Sequence, residues 1–203
     1  FRAVVAHSLT SKEYELESVD VENAYLQCTF DEADHGVNYI EVRKDCLKYF
    51  SERTRLSAAK QARPMLRMLK ALYGHPASAR IFISEVRRVL LEDGWKESPH
   101  DPTLLRKGKV LCALYVDDVI AAGDPAGLAG LWTTIRKRFT IGTEAEDATR
   151  FLGIGIKRQV NPDADLNIAD LCMSEYAQHI VDAYRDLFKQ ELRPGINHPL
   201  PHD

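Results

Sequence analysis

The sequence predicts an α+β fold in which an antiparallel sheet is backed by helices. Three observations lead there. Leu111–Gly123 places apolar runs on both sides of a polar break at Asp117-Asp118, the pattern of a hairpin whose turn carries the acids. Ser78–Gly94 and Ala126–Phe139 repeat apolar residues at helical spacing. Tyr14–Val21 alternates apolar and polar residues and reads as a strand that ends on an acid, Asp20.

Taken in order, Phe1–Ser11 reads as a helix and Tyr14–Val21 as the strand. Val21–Leu26 is more helical in composition, and Val37–Val42 is a short strand. Asp45–Arg63 is polar, a helix or an ordered loop. Leu66–Gly74 is apolar with helical or mixed spacing and stops at Gly74. The helix from Ser78 turns Ile81, Phe82, Val86, Val89, Leu90 and Leu91 to one face, with Gly94 as its C-terminal cap. Trp95–Asp101 is a connection. Thr103–Arg106 and Val110–Val116 pair around the turn Lys107-Gly108-Lys109. Asp124 is placed to cap the next helix, with Pro125 at its first position. Phe151–Arg158 and Asp165–Ala169 form a second hairpin through Asn161-Pro162-Asp163. Ser174 caps a last helix through Leu187, and 194–203 is a loose, Pro-rich end.

Composition narrows the function classes. The 203 residues are 45% apolar and 28% charged, as in an ordinary soluble globular protein. A net charge of −3 and a pI near 6.2 speak mildly against a dedicated nucleic-acid binder. The segment from Lys60 to Arg88 is locally basic, either a phosphate track or a solvated helix face. No stretch approaches the roughly 18 to 20 apolar residues that span a bilayer. The four cysteines show no Cys-x-x-Cys spacing, which sets aside a zinc knuckle or disulfide framework and points to reduced intracellular thiols. The seven histidines form no metal-binding array. Starting at Phe1, without Met or a signal pattern, the chain reads as a segment of something longer.

Neighbouring buried carboxylates repel unless a cation offsets them, at a cost of several kcal/mol. Asp117 and Asp118 therefore point to a hard divalent ion with oxygen ligands, Mg²⁺ above all, although Asp-Asp pairs also occur in solvated turns. If the strand of Asp20 lies beside the hairpin, three carboxylates converge. Such a cluster suits two ions about 3.5–4 Å apart, which align in-line phosphoryl transfer.

Five motifs in order carry a resemblance. They are Val19-Asp20-Val21-Glu22-Asn23-Ala24-Tyr25-Leu26, then Leu69-Lys70-Ala71-Leu72-Tyr73-Gly74 followed by Arg80 and Phe82. Gly94-Trp95 with Asp101-Pro102, Tyr115-Val116-Asp117-Asp118 and Phe151-Leu152-Gly153-Ile154 complete the set. From about Phe1 to Tyr184 the chain resembles the reverse transcriptases of copia-type retrotransposons. The resemblance implies a palm with partial fingers over 1–158, and the start of a thumb with a loose tail over 159–203.

It also implies that Asp20, Asp117 and Asp118 are catalytic and bind two Mg²⁺ ions, with Mn²⁺ an alternative. Val21, Tyr25, Tyr73 and Gly74 would meet the incoming nucleotide, Tyr25 by stacking under its sugar and excluding a 2′-hydroxyl. Tyr115, Arg80, Phe151, Leu152 and Gly153 would contact primer and template. The implied partners are an RNA template, a DNA or RNA primer and deoxynucleotides, and the implied location is a cytoplasmic retrotransposon particle.

The chain departs from the family pattern in places. Glu22-Asn23 replaces Lys-Thr or Ser-Ser, and His75-Pro76-Ala77 replaces a Leu-Lys-Gln stretch. The basic fingers hairpin expected upstream, the ribonuclease H region and a full thumb lie outside the sequence. A co-opted, non-catalytic domain serving a larger assembly through protein partners is therefore the alternative. A two-metal nuclease fits the acids but not the Tyr-Val-Asp-Asp hairpin or Tyr25.

Overall fold

The structure, a computed structural model, describes residues 1–142, 145–160 and 167–189. The chain divides into two compact units, Phe1–Asp147 and Ala148–Asp203.

The first unit holds helices α1 (Arg2–Ser8), α2 (Glu32–His35), α3 (Glu52–Ala59), α4 (Ser78–Glu92) and α5 (Pro125–Arg136). Short 3₁₀ segments cover Ala24–Gln27 and Lys44–Tyr49. Its strands are β1 (Glu15–Asp20), β2 (Tyr39–Glu41), β3 (Met65–Arg67), β4 (Lys96–Glu97), β5 (Leu104–Lys107), β6 (Val110–Tyr115), β7 (Asp118–Gly123) and β8 (Glu146–Asp147). Six of them form one sheet in the order β4-β5-β6-β7-β1-β8, every neighbouring pair antiparallel. The expected α+β fold, an antiparallel sheet backed by helices, is what the chain forms.

The central hairpin is apolar throughout because both faces of the sheet are covered. Val119 and Ala121 of β7 join the main core with Phe82, Val86 and Leu90 of α4 and Leu128, Leu131, Trp132 and Ile135 of α5. Successive strand residues face opposite ways, so Ile120 and Ala122 turn to the other face. There α1 lies along β7, β1 and β6, and its Val4 and Val5 are buried. The caps form as expected: Asp124 accepts from the Gly127 backbone N–H at 3.2 Å, Pro125 opens α5, and Gly94 follows α4 at φ +86°.

Several local expectations change. Leu66–Gly74 is not helical. Met65–Arg67 pairs with Tyr39–Glu41, and Lys70 then bridges to Thr29, so cross-chain pairing overrides the apolar spacing. Trp95–Asp101 is more than a connection, since β4 adds an edge strand to β5. In the second unit, β9 (Arg150–Phe151), β10 (Ile154–Gln159) and β11 (Ile168–Cys172) form a separate sheet. The run Phe151–Arg158 breaks into a two-residue turn at Leu152-Gly153, with φ +51° and +76°, as type I′ hairpins require. Helix α6 (Ser174–Phe188) begins one residue earlier than expected: Met173 is its cap, and the Ser174 hydroxyl meets Cys172 Sγ at 2.8 Å instead. The turn at Asn161-Pro162-Asp163 and the 194–203 tail lie outside the described residues.

Gly123 fixes how closely β7 passes the β5–β6 turn. A Cβ there would sit 2.8 Å from Val110 Cγ2 and 2.9 Å from the Lys109 carbonyl oxygen, and the second of these is backbone that cannot swing away. Gly123→Ala is expected to destabilise the first unit by about 1–3 kcal/mol in urea unfolding. An unchanged midpoint would show that the turn yields freely.

Candidate active site

The antiparallel register of β1 and β7 sets Asp20 directly opposite Asp118. In such a ladder, facing Cα atoms lie about 4.5–5.5 Å apart. Asp117 sits in the two-residue turn between β6 and β7, where Tyr115 faces Asp118. Val116 occupies the first turn position at φ +56°, and Asp117 has a negative φ. That is the pattern of a II′ hairpin, whose first position ordinarily favours glycine. A β-branched residue held there is strained, at a cost on the order of 1–3 kcal/mol. The expected strand residue Val116 is therefore a turn residue, and its conformation sets where the Asp117 carboxylate stands.

The segment after Asp20 is fastened on several sides. The Val21 backbone N–H donates to the Asp117 carbonyl oxygen at 3.2 Å, tying strand end to turn. Asn23 takes a left-handed conformation at φ 49°, which lets the chain turn into the 3₁₀ segment. The Gln27 side chain donates to the Thr140 carbonyl at 3.0 Å and accepts from the Thr140 N–H at 2.7 Å. Arg138 donates to the Gln27 carbonyl and to Glu85.

Two aromatics flank the acids. Tyr25 is buried, its ring 4.5 Å from that of Tyr73 and 6.3 Å from that of Phe82. Tyr73 is about half exposed and lies on the loop before α4. Ser78 holds that loop: its hydroxyl donates to the Leu72 carbonyl at 2.6 Å and accepts from the Leu72 N–H at 3.0 Å. Gly74 follows at φ +89°. Tyr115 is exposed beside the turn. Arg80 is exposed on α4 and meets His35 Nδ1 at 3.4 Å. Phe151, Leu152 and Gly153 form the turn of the second unit, with Phe151 buried and the other two exposed.

The electrostatics follow from this crowding. Partial burial, then the Asp117 carboxylate, then Glu22 push the Asp20 carboxyl above its ordinary range. Asp118 is raised by burial, then by Asp117 and Asp20. Burial followed by the field of Asp117 raises the Tyr25 and Tyr73 hydroxyls too. Three carboxylates with hard oxygen donors and mutual repulsion fit divalent cations. Among the described residues, no three His, Cys, Asp or Glu side chains are already gathered as a closed metal cage.

The acids and the two tyrosines singled out in the sequence lie close together. No sequence signal marks Val116, Ser78 or Gln27, whose parts depend on backbone conformation and on partners far along the chain.

A strand-end acid thus stands beside a hairpin that carries two more, on an antiparallel sheet backed by helices. Residues 2–188 match the family described as reverse transcriptase (RNA-dependent DNA polymerase). The chain belongs to that family, and the expected copia-type relationship holds. It is 28% identical over 160 residues to the retrovirus-related Pol polyprotein from transposon RE1 of Arabidopsis thaliana. It is 30% identical over 161 residues to that from transposon RE2 of the same plant. Each match covers 76% of this chain and 10% of the relative, so the chain spans about a tenth of the curated relatives' length. Reverse transcriptases as a family use divalent metal and work on nucleic-acid template and primer. Among the described residues no helix is long and apolar enough to cross a membrane.

Raised carboxyl pKa values fix a pH sign. A proton is held more tightly on Asp20 and Asp118 in the folded chain than in the unfolded one. Their contribution to stability is complete below the ordinary value of 3.8 and is lost as pH rises through the raised folded values. At neutral pH the fold therefore carries their repulsion. In chelator at pH 7, Asp118→Asn is expected to raise the thermal midpoint by about 2 °C, a gain that shrinks on acidification. Mg²⁺ at about tenfold over its Kd should add about 1.4 kcal/mol to the parent and far less to the variant. A variant less stable than the parent in chelator would contradict the repulsion.

Proposed function

We propose that the chain is the catalytic core of an RNA-directed DNA polymerase that extends a primer 3′-end with deoxynucleotides. The observation that carries this reading is the Asp20–Asp118 pairing, with Asp117 in the adjoining turn tied through its carbonyl to Val21. In this reading the primer's 3′-oxygen attacks the α-phosphorus of the bound nucleotide. The bond to the β-phosphate breaks, pyrophosphate leaves, and the hydroxyl proton passes to solvent.

Asp20, Asp117 and Asp118 would hold two Mg²⁺ ions, or Mn²⁺ in their place. Bound there, the ions would activate the hydroxyl and take up the charge of the pyrophosphate. The protein's own share is placement and charge. The Val21 N–H bond fixes the distance between the first acid and the turn. Tyr25, backed by Tyr73 and Phe82, gives the sugar a rigid floor and leaves little room for a 2′-hydroxyl. Gly74 would border the nucleotide, while Tyr115, Arg80 and the Phe151-Leu152-Gly153 turn would contact primer and template. In functional terms, 1–158 would be palm with partial fingers, and the start of the thumb would follow from 159. A cytoplasmic retrotransposon particle is the setting that suits this chemistry.

A second reading, a non-catalytic domain held by protein partners, draws on α6. That helix carries Tyr176, Ile180, Leu187 and Phe188 exposed and has no buried residue. It also draws on Glu22, whose charge raises Asp20.

Primer extension on an RNA template with Mg²⁺ or Mn²⁺ separates the two. The polymerase reading expects extension by the parent and none by Asp117→Asn/Asp118→Asn. Equal product from both would remove the acids from the reaction. Silence in both, persisting after upstream fingers sequence is restored, would favour the non-catalytic domain. In an active protein, Tyr25→Ala is expected to admit ribonucleotides that the parent rejects, read from the ratio of rates with paired ribo- and deoxynucleotides. An unchanged ratio would free Tyr25 of that role.

A further inference from the structure

Far from the acids, the first unit contains a cavity. Val110 and Tyr115 stand at the two ends of β6, about 17 Å apart at the rise of a strand. The acids lie at the Tyr115 end. At the Val110 end, the β5–β6 turn, the C-terminus of α4 and one side of α5 enclose a cavity of ≈ 570 Å³. Ligand pockets are commonly about 300–1,000 Å³. Asp93, Trp95, Lys107, Lys109, Gly130 and Lys137 are among its lining residues.

The charges there sort into spent and unspent groups. Lys107 Nζ donates to Asp93 at 2.8 Å, and the Thr134 hydroxyl donates to the same carboxylate oxygen at 3.0 Å. Those bonds hold the Asp93 carboxyl below its ordinary range, Lys107 first among the causes. Asp124 is occupied in capping α5. Lys109 and Lys137 remain, with no ion-pair or hydrogen-bond partner for either ammonium group among the described residues. The turn that carries Lys109 is itself held, since its carbonyl oxygen lies 2.8 Å from His7 Nε2 on α1. The Trp95 indole N–H is buried near the Asp93 carboxylate and, after Lys107 and Thr134, helps hold that carboxyl low.

The two charges left unpaired here are thus both positive. Their complement is a dianion rich in acceptor oxygens. The remaining walls, Val110, Leu131 and Ala129, are apolar and leave room for an organic body attached to it. We propose that this cavity binds the dianionic phosphate group of a small molecule, with Lys109 and Lys137 as its counter-charges. The site is independent of the polymerase reading, since none of its residues belongs to the acid cluster.

The chain has two tryptophans, and Trp132 is engaged by the Glu17 carboxylate, so the two indole N–H resonances report on different places. They are followed by NMR while the protein is titrated with inorganic phosphate, with a nucleoside monophosphate and with the bare nucleoside. Trp132→Phe assigns the second peak. The expected result is a saturable shift of the Trp95 resonance with both phosphate-bearing probes, a still Trp132 resonance, and no response to the nucleoside. Tighter binding of the monophosphate would mark an organic phosphate as the natural ligand, and equal binding would mark the free ion.

Lys109→Gln/Lys137→Gln should weaken binding by about tenfold or more. Gly130→Leu should block it by filling the cavity, since a Cβ at Gly130 meets no atom within 4 Å. The proposal is overturned if neither phosphate probe shifts Trp95 saturably, if the nucleoside shifts it equally, or if the double variant binds as the parent does.

Discussion

The pairing of β1 with β7 is the constraint on which the first unit's chemistry depends. One register places Val19 opposite Val119 in the core and Asp20 opposite Asp118 at the rim. A slip of one residue would turn the core side chains out and the acids away from each other. The apolar pairs along these strands therefore pin two like charges across a ladder, a juxtaposition that is unfavourable by itself. The strained Val116 turn adds to that cost while presenting a third carboxylate. Local cost held in place by a large core is how binding sites are commonly built.

The first unit also shows why its core is lopsided in purpose. One face of the sheet is filled by α4 and α5, whose large side chains hold the strands from behind. The other carries α1. The 3₁₀ segment after Asp20 is locked through Gln27 to Arg138 and Thr140, just past α5, and Arg138 also binds Glu85 of α4, so the first acid is anchored to both the sheet and its helical backing. Tyr25 then serves two ends at once. It is a buried core residue, and it is also the floor under Tyr73 within the field of Asp117.

Much of this was legible from residues alone. The hairpin, the helices at 78 and 125, the Asp124 cap and the strand ending at Asp20 all follow from local patterns that agree with the final packing. The order of five motifs pointed to the family to which the chain belongs. The misreadings have a shared cause. Leu66–Gly74 has apolar spacing that suits a helix, but its backbone is claimed by Tyr39–Glu41 and Thr29, partners more than twenty residues away. Val116 and Leu152 both look like strand residues by type, and both adopt positive φ because two-residue hairpins demand it. The bonds made by Ser78 and Gln27 likewise depend on where distant backbone arrives, which spacing along the chain does not encode.

The proposal makes Asp20, Asp117 and Asp118 one cation site. The most direct test is a crystal of the protein soaked in Mn²⁺ and measured at the manganese absorption edge. A shared cation site requires an anomalous difference peak within coordination distance of carboxylate oxygens from both β1 and the β6–β7 hairpin, lost in Asp117→Asn/Asp118→Asn. Manganese bound elsewhere, with the three carboxylates left without an ion, would contradict it.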